Sequence, residues 1–446
     1  MLRDYQKEIF DKATDAFRHG AHGICCVLPC RSGKSYIMAR MIKGAKGNVL
    51  VLAHRHSLIE QHKELLNGLG ILTEKVRVES VFTEASRLGR YAPDEVALII
   101  IDEAHLSEAA SYRKVCEYYN CKRVLFTATP SRLDGKPLTL ADTLITGISA
   151  KELIERGAIS DYDYYAPDLG IDTENIDLVA GEYNNGQITD LMCESAIYGD
   201  VLKYYRMLGE NRQAIAYCAS VKHSMQTAEM FNSNGIPAIS IDGGMSLKER
   251  NNRMELFQKG EVQILCNCNL ISEGVTLPNA SVGLLLRPTC SLPLFIQQAC
   301  RVLTPVEGKK AVIIDYVNNV QRHGMPTDDH EWSLGEVVKK RRQYNEDGTL
   351  SIRQCLHCFR CFKTAPICPF CGKEYVVKGR ELKSITDVEL KLIEEVQREE
   401  EEQRRRAARM EVGECRTIAD LQRIAKARGY AKGWVWQMAK VKHIIR

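Results

Sequence analysis

A short loop of small and basic residues follows the first apolar run of the chain. Residues 28–35 read LPCRSGKS, after the run GICCVL and before a helical pattern. Where a strand passes through such a loop into a helix, backbone N–H groups point at bound phosphate oxygens. We expect Lys34 to reach the β- and γ-phosphates of a nucleotide and the Ser35 hydroxyl to bind Mg²⁺. The other residues predicted to cradle the phosphates are Pro29, Cys30, Arg31, Ser32 and Gly33.

An acidic motif ends another apolar run further along the chain. The run VALIII leads directly into Asp102, Glu103, Ala104 and His105. At the end of a buried strand, Asp102 is expected to hold Mg²⁺ through water, and Glu103 to orient and deprotonate the attacking water. Phosphoryl transfer depends on such positioning and charge neutralisation more than on covalent chemistry. The phosphate loop and the acidic motif, in this order, therefore predict a site that hydrolyses ATP.

Strand-like apolar runs alternate with helical patterns from the start of the chain to about residue 320. GICCVL, NVLVLA, VALIIID and KRVLFTAT are typical of strands, and the pattern restarts with QAIAYCAS, VQILCNCN and KAVIIDYV. Such alternation predicts mostly parallel sheets covered by helices. We therefore predict an α/β protein with two tandem lobes, lobe 1 over residues 1–158 and lobe 2 over residues 159–322. A polar linker is expected over residues 323–350.

Further motifs extend this organisation into a family resemblance. Thr127 and Thr129 lie in the segment TATP, and Gln297 and Arg301 lie in the segment QQACR. With the phosphate loop and the acidic motif, these segments resemble superfamily 2 helicases of the DEAD/DEAH kind over about residues 1–320. The chain looks most similar to bacterial and phage helicases related to type III restriction motor subunits and repair translocases. The resemblance implies two RecA-like lobes that bind ATP between them and act on nucleic acid.

The resemblance also implies roles for individual residues. Gln297 is expected to position the attacking water, and Arg301 to contact the γ-phosphate. Thr127 and Thr129 are expected to couple the state of ATP to the grip on nucleic acid. Further contacts are implied for Arg3 and Gln6 with adenine, for Gly274 with the nucleotide, and for His54, Arg55, His105, Ser272 and Glu273 in coupling and nucleic-acid contact.

Residues 297–304, the motif VI of this family, depart from its pattern at two positions. The pattern usually reads Q-x-x-G-R-x-x-R, whereas Cys300 replaces its Gly and Thr304 replaces its last Arg. That last Arg is commonly an arginine finger, which is worth about 10³–10⁵ in rate. Either Arg301 supplies this charge alone, or turnover is slow, or a partner contributes.

Two Cys-x-x-Cys pairs follow lobe 2. Cys355 and Cys358 precede Cys368 and Cys371, at the spacing of a zinc ribbon. Four thiolates on two such turns form a tetrahedral structural zinc site, and the metal would supply folding energy to so short a segment. We predict a zinc ribbon over residues 351–376, with a disulfide or unrelated thiol cluster as the alternative. The basic residues around it are candidates for contact with DNA phosphates: Arg353, Arg360 and Lys363.

Residues 385–446 are predicted to form a charged helix followed by a basic helical tail. From residue 413 to residue 446 there are eight Lys or Arg and two Asp or Glu, a balance that suits a polyanionic partner. Tyr430, Trp434 and Trp436 interleave with these cations, as in proteins that stack single-stranded bases. Packed or solvated helices are the alternative interpretation. The tail is also a candidate surface for a protein partner.

The bulk composition of the 446 residues is that of an ordinary globular protein, with 45% hydrophobic residues, 26% charged residues and a net charge of +4. The chain contains no apolar run of membrane-spanning length, and its start does not resemble a signal peptide. We therefore expect no membrane partner and a cytoplasmic location in a bacterial cell or phage-infected host. The predicted function is that of an ATP-dependent DNA helicase or translocase with ATP, Mg²⁺ and Zn²⁺ as cofactors. It would act on single-stranded or branched DNA in replication, recombination or repair; the alternatives are an RNA helicase and a nucleic-acid-binding adaptor with a weak ATPase.

Overall fold

The computed structural model describes both lobes, the cysteine-rich segment and part of the tail. The described residues are 2–130, 137–167, 176–179, 181–193, 195–268, 277–335, 351–375, 417–428, 432–442 and 444. The chain divides into two compact units, Met1–Tyr375 and Val376–Arg446. The predicted charged helix before the tail lies outside the described residues, as do Ser272, Glu273 and Gly274.

Lobe 1 is built on a six-stranded parallel sheet. Its strands are β1 (Gly23–Val27), β2 (Asn48–Ala53), β3 (Val76–Ser80), β4 (Val96–Asp102), β5 (Lys122–Thr127) and β6 (Thr143–Thr146). They lie in the order β3-β2-β4-β5-β1-β6, and each neighbouring pair is parallel. Its helices are α1 (Asp4–Arg18), α2 (Lys34–Gly44), α3 (His56–Gly68), α4 (Val81–Arg87), α5 (Ala110–Tyr118) and α6 (Ala150–Glu155).

Lobe 2 repeats this plan with a second six-stranded parallel sheet. Between its first strand, β7 (Tyr162–Tyr165), and the others lies a short hairpin of β8 (Leu178–Val179) and β9 (Glu182–Tyr183). The other strands are β10 (Ala214–Tyr217), β11 (Ala238–Ile241), β12 (Ile264–Asn267), β13 (Val282–Leu285) and β14 (Ala311–Asp315). The order is β11-β12-β10-β13-β14-β7. The helices are α7 (Asn185–Met192), α8 (Ser195–Gly209), α9 (Val221–Ser233), α10 (Leu247–Gln258), α11 (Leu292–Cys300) and α12 (Asn319–His323). The predicted α/β fold with two tandem parallel-sheet lobes is confirmed.

The central strands are apolar along their whole length because helices cover both faces of each sheet. All residues of β1 and of β14 are buried. In lobe 1, α1, α2 and α3 contribute to one apolar cluster, and α4 and α5 contribute to the other. Removal of this apolar surface from water is the main driving force that holds helices and sheet together.

The parallel arrangement brings the predicted chemical segments to one edge of the lobe 1 sheet. β4, β5 and β1 are neighbours, with Asp102 beside Phe126 and Val27 beside Thr127. The carboxyl ends of these strands therefore lead into the acidic motif, the TATP segment and the phosphate loop at the same edge. Open α/β sheets bind their ligands at this edge.

The ribbon (residues 351–375) is packed onto lobe 2. Its strands, β15 (Ile352–Gln354) and β16 (Cys361–Lys363), are antiparallel, and Ile352 and Cys361 are buried in an apolar cluster of lobe 2. Arg360 donates to Asp163 at 2.8 Å and to the Tyr165 hydroxyl at 3.2 Å. The Arg360 guanidinium is thus bound to the edge strand β7, whereas the sequence analysis made Arg360 a candidate for contact with DNA phosphates.

The segment after lobe 2 returns to lobe 1. The Thr327 and Tyr162 hydroxyls lie 2.7 Å apart in lobe 2, whereas the Leu138 N–H of lobe 1 donates to the Leu334 carbonyl at 2.9 Å. Trp332 and Leu334 pack against an apolar cluster of lobe 1. The segment predicted as a polar linker, residues 323–350, therefore begins as packed chain, because Trp332 and Leu334 are partly buried against lobe 1.

The second unit contains the helices α13 (Ile418–Arg428) and α14 (Lys432–Val441). Their apolar cluster includes Leu421, Ile424 and Val435, and Trp434 packs against it. Trp436 is 56% exposed, whereas Tyr430 lies outside the described residues. Of the predicted stacking aromatics, Trp434 is thus partly buried against the core of the helix pair, and Trp436 lies at its surface. Among the described helices of the chain, none combines the length and apolar character that a membrane span requires.

We expect Arg360→Ala to lower the free energy of unfolding of the unit that contains lobe 2 and the ribbon by about 1–2 kcal/mol. A hydrogen bond to a charged group contributes about 1.5–3 kcal/mol, and partial exposure reduces that value; the Arg360 side chain is 29% exposed. Denaturant unfolding measures the change. Lys363→Ala is the matched control, since its 3.6 Å ion pair with Asp328 leaves the Lys363 side chain 81% exposed. Equal losses in the two variants would contradict a docking role for Arg360.

Candidate functional site

The phosphate loop (residues 28–35) joins β1 to α2. Gly33 adopts a φ of 81°, and a Cβ at this position would collide with the Gln6 side chain, so the loop requires glycine here. Lys34 Nζ lies 3.4 Å from the carbonyl oxygens of both Leu28 and Pro29. The ammonium group is therefore folded over the loop at the start of α2, where N–H groups of a helix attract anions.

The start of α1 is fastened to this loop. Gln6 Nε2 and the Tyr5 hydroxyl both donate to the Ser32 carbonyl, at 3.0 and 3.2 Å. The Gln6 carbonyl oxygen accepts the Arg3 N–H at 3.0 Å. Both ends of the Gln6 amide are thus bonded within the chain, so Gln6 fixes the shape of the loop. The predicted contacts of Arg3 and Gln6 with adenine remain a prediction.

Asp102 is a buried carboxylate at the end of β4. Its Oδ1 accepts the Glu103 N–H at 3.0 Å, and its Oδ2 lies 3.1 Å from His62 Nε2. Burial alone would raise the pKa of Asp102, but the hydrogen bond with His62 and the charge of Lys34 hold that pKa below its ordinary value. Asp102 is therefore ionised at neutral pH, and a hard carboxylate oxygen suits Mg²⁺. Ser35 lines one pocket together with Asp102, so the residue types and placement of the two predicted magnesium ligands fit the ion.

Glu103 of lobe 1 is in direct contact with lobe 2. Its backbone is left-handed, with φ 54° and ψ 58°, a sparsely populated conformation for a residue other than glycine. Gln297 Nε2, from α11 of lobe 2, donates to Glu103 Oε2 at 3.3 Å. The structure therefore brings the predicted base and the predicted water-positioning amide together across the cleft.

A pocket between the lobes collects most of the predicted catalytic and phosphate-binding residues. Lobe 1, including α3, and lobe 2 both contribute to its lining. The lining residues are Cys30, Arg31, Lys34, Ser35, Leu58, Gln61, His62, Asp102, Glu103, Gln297, Cys300 and Arg301. The cations in it are crowded: burial and then the charge of Arg301 lower the pKa of Arg31 to about 10. Several positive charges held close together at a loop edge favour a polyanion such as a triphosphate.

Thr304, which replaces the last Arg of motif VI, is held inside lobe 2. Its hydroxyl donates to the Arg301 carbonyl at 3.3 Å, and its own carbonyl accepts the Ser160 hydroxyl at 3.0 Å. Arg301 begins a short 3-10 turn after α11 and lines the pocket. Arg31 from the phosphate loop is a second arginine in that lining. The second arginine of the pocket lining therefore comes from lobe 1 rather than from motif VI.

The lobe 1 residues predicted to contact nucleic acid lie at the carboxyl edge of the lobe 1 sheet. Arg55 is the N-cap residue of α3, and its Nε lies 3.2 Å from His54 Nε2. After β5, the Thr127 hydroxyl donates to the Thr129 carbonyl at 2.9 Å and accepts the Thr129 N–H at 3.0 Å, which closes a tight turn. His105 lies in the 3-10 turn Ala104–Leu106, and its side chain is outside the described part of the chain.

His62 is the functional candidate that the sequence analysis missed. The buried residues of α3 are Leu58, Ile59, His62 and Leu66, spaced as on one face of a helix. That spacing places His62 on the inward face, which was a usable signal. The contact with Asp102, 40 positions away in the chain, depends on how α3 packs against the sheet of lobe 1 and has no local signature.

Four cysteines of the ribbon converge on one point. Their ligand atoms all lie within 4.8 Å of one another, with Cys355 Sγ 3.5 Å from Cys371 Sγ and Cys358 Sγ 3.8 Å from Cys368 Sγ. Such a cluster is compatible with tetrahedral thiolate coordination of zinc. Cys361 is buried in the lobe 2 cluster instead, which agrees with its omission from the predicted ligand set.

Two protein-family models match the chain. The model for the res subunit of type III restriction enzymes matches residues 1–87 and 72–132, and the model for the helicase conserved C-terminal domain matches residues 198–304. A 51.5 kDa protein of a Lactococcus phage (isolate 7-9) is 34% identical over 374 residues, which cover 82% of this chain and 81% of that protein. The DNA 3'-5' helicase XPB of Mycobacterium tuberculosis is 25% identical over 354 residues, covering 71% of this chain and 60% of that protein.

A solved structure shares the fold. A fragment assigned to the HsdR subunit of a type I restriction enzyme from Vibrio vulnificus has a TM-score of 0.59 and 19% identity, over 73% of this chain and 66% of that chain. The chain belongs to the superfamily 2 helicases that are related to the res subunit of type III restriction enzymes. It is an ATP-hydrolysing helicase that depends on nucleic acid.

The thiol of Cys30 offers a direct chemical probe of this pocket. A hydrogen bond with Cys300 and the positive charges of Lys34 and Arg301 outweigh burial and lower the pKa of Cys30 to about 6. The thiolate is the nucleophile, so iodoacetamide labelling of Cys30 should rise through about pH 6 and level off near neutrality. Bound ATP should protect it. Peptide mass spectrometry measures the labelling, with Cys30→Ser as the blank.

Cys25 provides an internal comparison in the same experiment. It is buried in the strand before the loop, and burial raises its pKa to about 12, so it should stay unlabelled at neutral pH. Labelling of Cys30 that begins only near pH 9, or that ATP leaves unchanged, would contradict the placement of this thiol among the pocket cations.

Proposed function

We propose that the chain is a DNA helicase or translocase that couples ATP hydrolysis to movement on single-stranded or branched DNA. One observation supports the coupling: Gln297 of lobe 2 donates to Glu103 of lobe 1, so the site is complete only when the lobes are together. The description of the Mycobacterium tuberculosis relative as a DNA 3'-5' helicase supports DNA as the substrate. Replication, recombination or repair is the proposed setting, and the phage relative supports action in the cytoplasm of a bacterial host cell.

Hydrolysis is proposed to use residues of both lobes. Lys34 and the loop N–H groups bind the β- and γ-phosphates, and Ser35 and Asp102 hold magnesium, which neutralises phosphate charge when bound. Glu103 accepts a proton from the water that attacks the γ-phosphorus, while Gln297 orients that water. Arg301 and Arg31 stabilise the charge that develops on the transferred phosphoryl group. The products are ADP and inorganic phosphate.

The nucleic acid is proposed to bind along the carboxyl edge of the sheets. His54 and Arg55 follow β2, Thr127 ends β5 and Thr129 lies two residues beyond it, so polar and basic groups lie along the same edge, with the end of β4 between them. Ser272 and Glu273 complete the proposed set, with Gly274 at the nucleotide. Contacts of this kind are made to phosphates, so binding is independent of sequence and weakens steeply as salt rises.

The four clustered cysteines are proposed to bind one zinc ion. Thiolates at these separations match the preferred ligands and geometry of zinc. Because Ile352 and Cys361 of the ribbon are buried in lobe 2, the metal would stabilise lobe 2 as well as the ribbon. The proposed role is therefore structural.

The assignment of Glu103 as the base is tested by two substitutions, one expected to abolish turnover and the other expected to abolish tight ATP binding. Glu103→Gln should bind ATP as tightly as the unmodified protein but lose turnover, by about 10²-fold or more, because only the proton acceptor is removed. Lys34→Ala should lose tight ATP binding itself. Steady-state hydrolysis and binding of a fluorescent ATP analogue separate the two effects. Turnover by Glu103→Gln at the unmodified rate would show that Glu103 is not the base.

The choice between DNA and RNA is tested by ATP hydrolysis with four additions: none, single-stranded DNA, forked duplex DNA and RNA. We expect single-stranded or forked DNA to stimulate hydrolysis more than RNA does, with stimulation falling as salt increases. Stimulation by RNA and not by DNA would reverse the assignment. Binding to DNA without any ATP hydrolysis would favour the alternative of a nucleic-acid-binding adaptor with a weak ATPase.

Zinc content is tested by elemental analysis of protein purified without chelator, for which we expect one zinc ion per chain. Cys368→Ser should lose the zinc and lower the melting temperature of the unit that contains lobe 2. Cys361→Ala is the matched control, since Cys361 lies outside the cluster and should leave the zinc in place. Unmodified protein that contains no zinc would refute the proposed site.

A further inference from the structure

His62 is a buried histidine in direct contact with the acidic motif. The residue is 5% exposed, and its Nε2 lies 3.1 Å from Asp102 Oδ2. It also lines the interlobe pocket with Leu58 and Gln61 of the same helix. The roles proposed above for the phosphate loop, the acidic motif and motif VI make no use of it.

The contact fixes the orientation of the Asp102 carboxylate. One oxygen, Oδ1, accepts the Glu103 N–H, and the other, Oδ2, is bonded to His62. Two bonds to two different oxygens prevent the group from rotating, so its remaining lone pairs keep one direction. Magnesium requires nearly ideal octahedral geometry, so a carboxylate held in place binds it better than one free to turn.

His62 also belongs to a helix that starts at the proposed nucleic-acid edge. Arg55 is the N-cap of α3, and His62 follows seven residues later, which corresponds to about 10 Å along a rigid helix. A shift of the first turn of α3 therefore moves His62 against Asp102.

We propose that His62 is a positioning residue that orients Asp102 toward magnesium and transmits displacement of α3 to the magnesium site. The transmission rests on the proposed function, because it requires Arg55 to contact nucleic acid. The orientation of Asp102 does not depend on nucleic acid. The two parts are therefore tested separately.

The orientation is tested by the magnesium dependence of nucleotide binding, measured with a fluorescent, non-hydrolysable ATP analogue. In His62→Leu the magnesium concentration for half-maximal binding should rise about 10- to 100-fold, the usual effect of losing such a partner. Binding in excess chelator should stay unchanged. In His62→Gln, whose amide can still donate to Asp102, the shift should be several times smaller.

A second buried histidine controls for loss of the imidazole itself. His223 lies in lobe 2 and accepts the Ala219 N–H at 3.2 Å, so His223→Leu should leave the magnesium dependence unchanged. Thermal melts confirm that the variants are folded. A His62→Leu variant with the magnesium dependence of the unmodified protein would overturn the proposal, and so would equal shifts in His62→Leu and His62→Gln.

The transmission is tested by nucleic-acid stimulation of hydrolysis at saturating magnesium. His62→Leu should lose most of the stimulation that the unmodified protein shows, and His62→Gln should retain it. Full stimulation of His62→Leu would overturn the link through α3. An unmodified protein that no nucleic acid stimulates would instead refute the proposed function, while the magnesium titration would still decide the role of His62.

Discussion

The cleft between the lobes must hold acids beside a substrate that is itself strongly negative. In the proposed mechanism the Asp102 carboxylate holds magnesium and Glu103 accepts a proton from the attacking water, yet both acids repel a triphosphate at such short range. A buried acid without compensation would take up a proton and lose its affinity for the metal. Here the hydrogen bond from His62 and the charge of Lys34 keep the pKa of Asp102 low despite its burial, and Arg31 and Arg301 line the same pocket.

This balance of charge depends on the relative position of the lobes. Lys34, Arg31 and both acids belong to lobe 1, whereas Arg301 and Gln297 come from the end of α11 in lobe 2. Opening the cleft would remove a cation and the amide from the γ-phosphate together, and closing it would restore both. The ribbon would move with lobe 2, because it shares an apolar cluster with that lobe. Residues 325–335 contact both lobes and would limit how far they separate.

Local patterns were enough to predict the two parallel sheets and much of the pocket. The phosphate loop follows one apolar strand and Asp102 ends another, so a parallel sheet places both at its carboxyl edge. Three features depended on packing between distant segments instead. His62 reaches Asp102 only because of the way α3 packs against the sheet of lobe 1. Arg360 carries the same charge as a phosphate-binding residue but is paired with Asp163. Trp332 packs against lobe 1 and so brings the segment after lobe 2 back to that lobe. Ser272, Glu273 and Gly274 lie outside the described residues and stay predictions.

We propose that the ATP site is complete only when both lobes contribute to it. Substitution of a lobe 2 residue therefore tests it most directly, with Arg301→Ala measured in parallel for nucleotide binding and for turnover at saturating nucleic acid. We expect nearly normal nucleotide binding, since residues of lobe 1 are proposed to hold the phosphates, and a turnover lower by about 10³-fold, as for loss of an arginine that stabilises the transferred phosphoryl group. Turnover close to that of the unmodified protein would show that lobe 2 supplies no essential charge and would contradict the account.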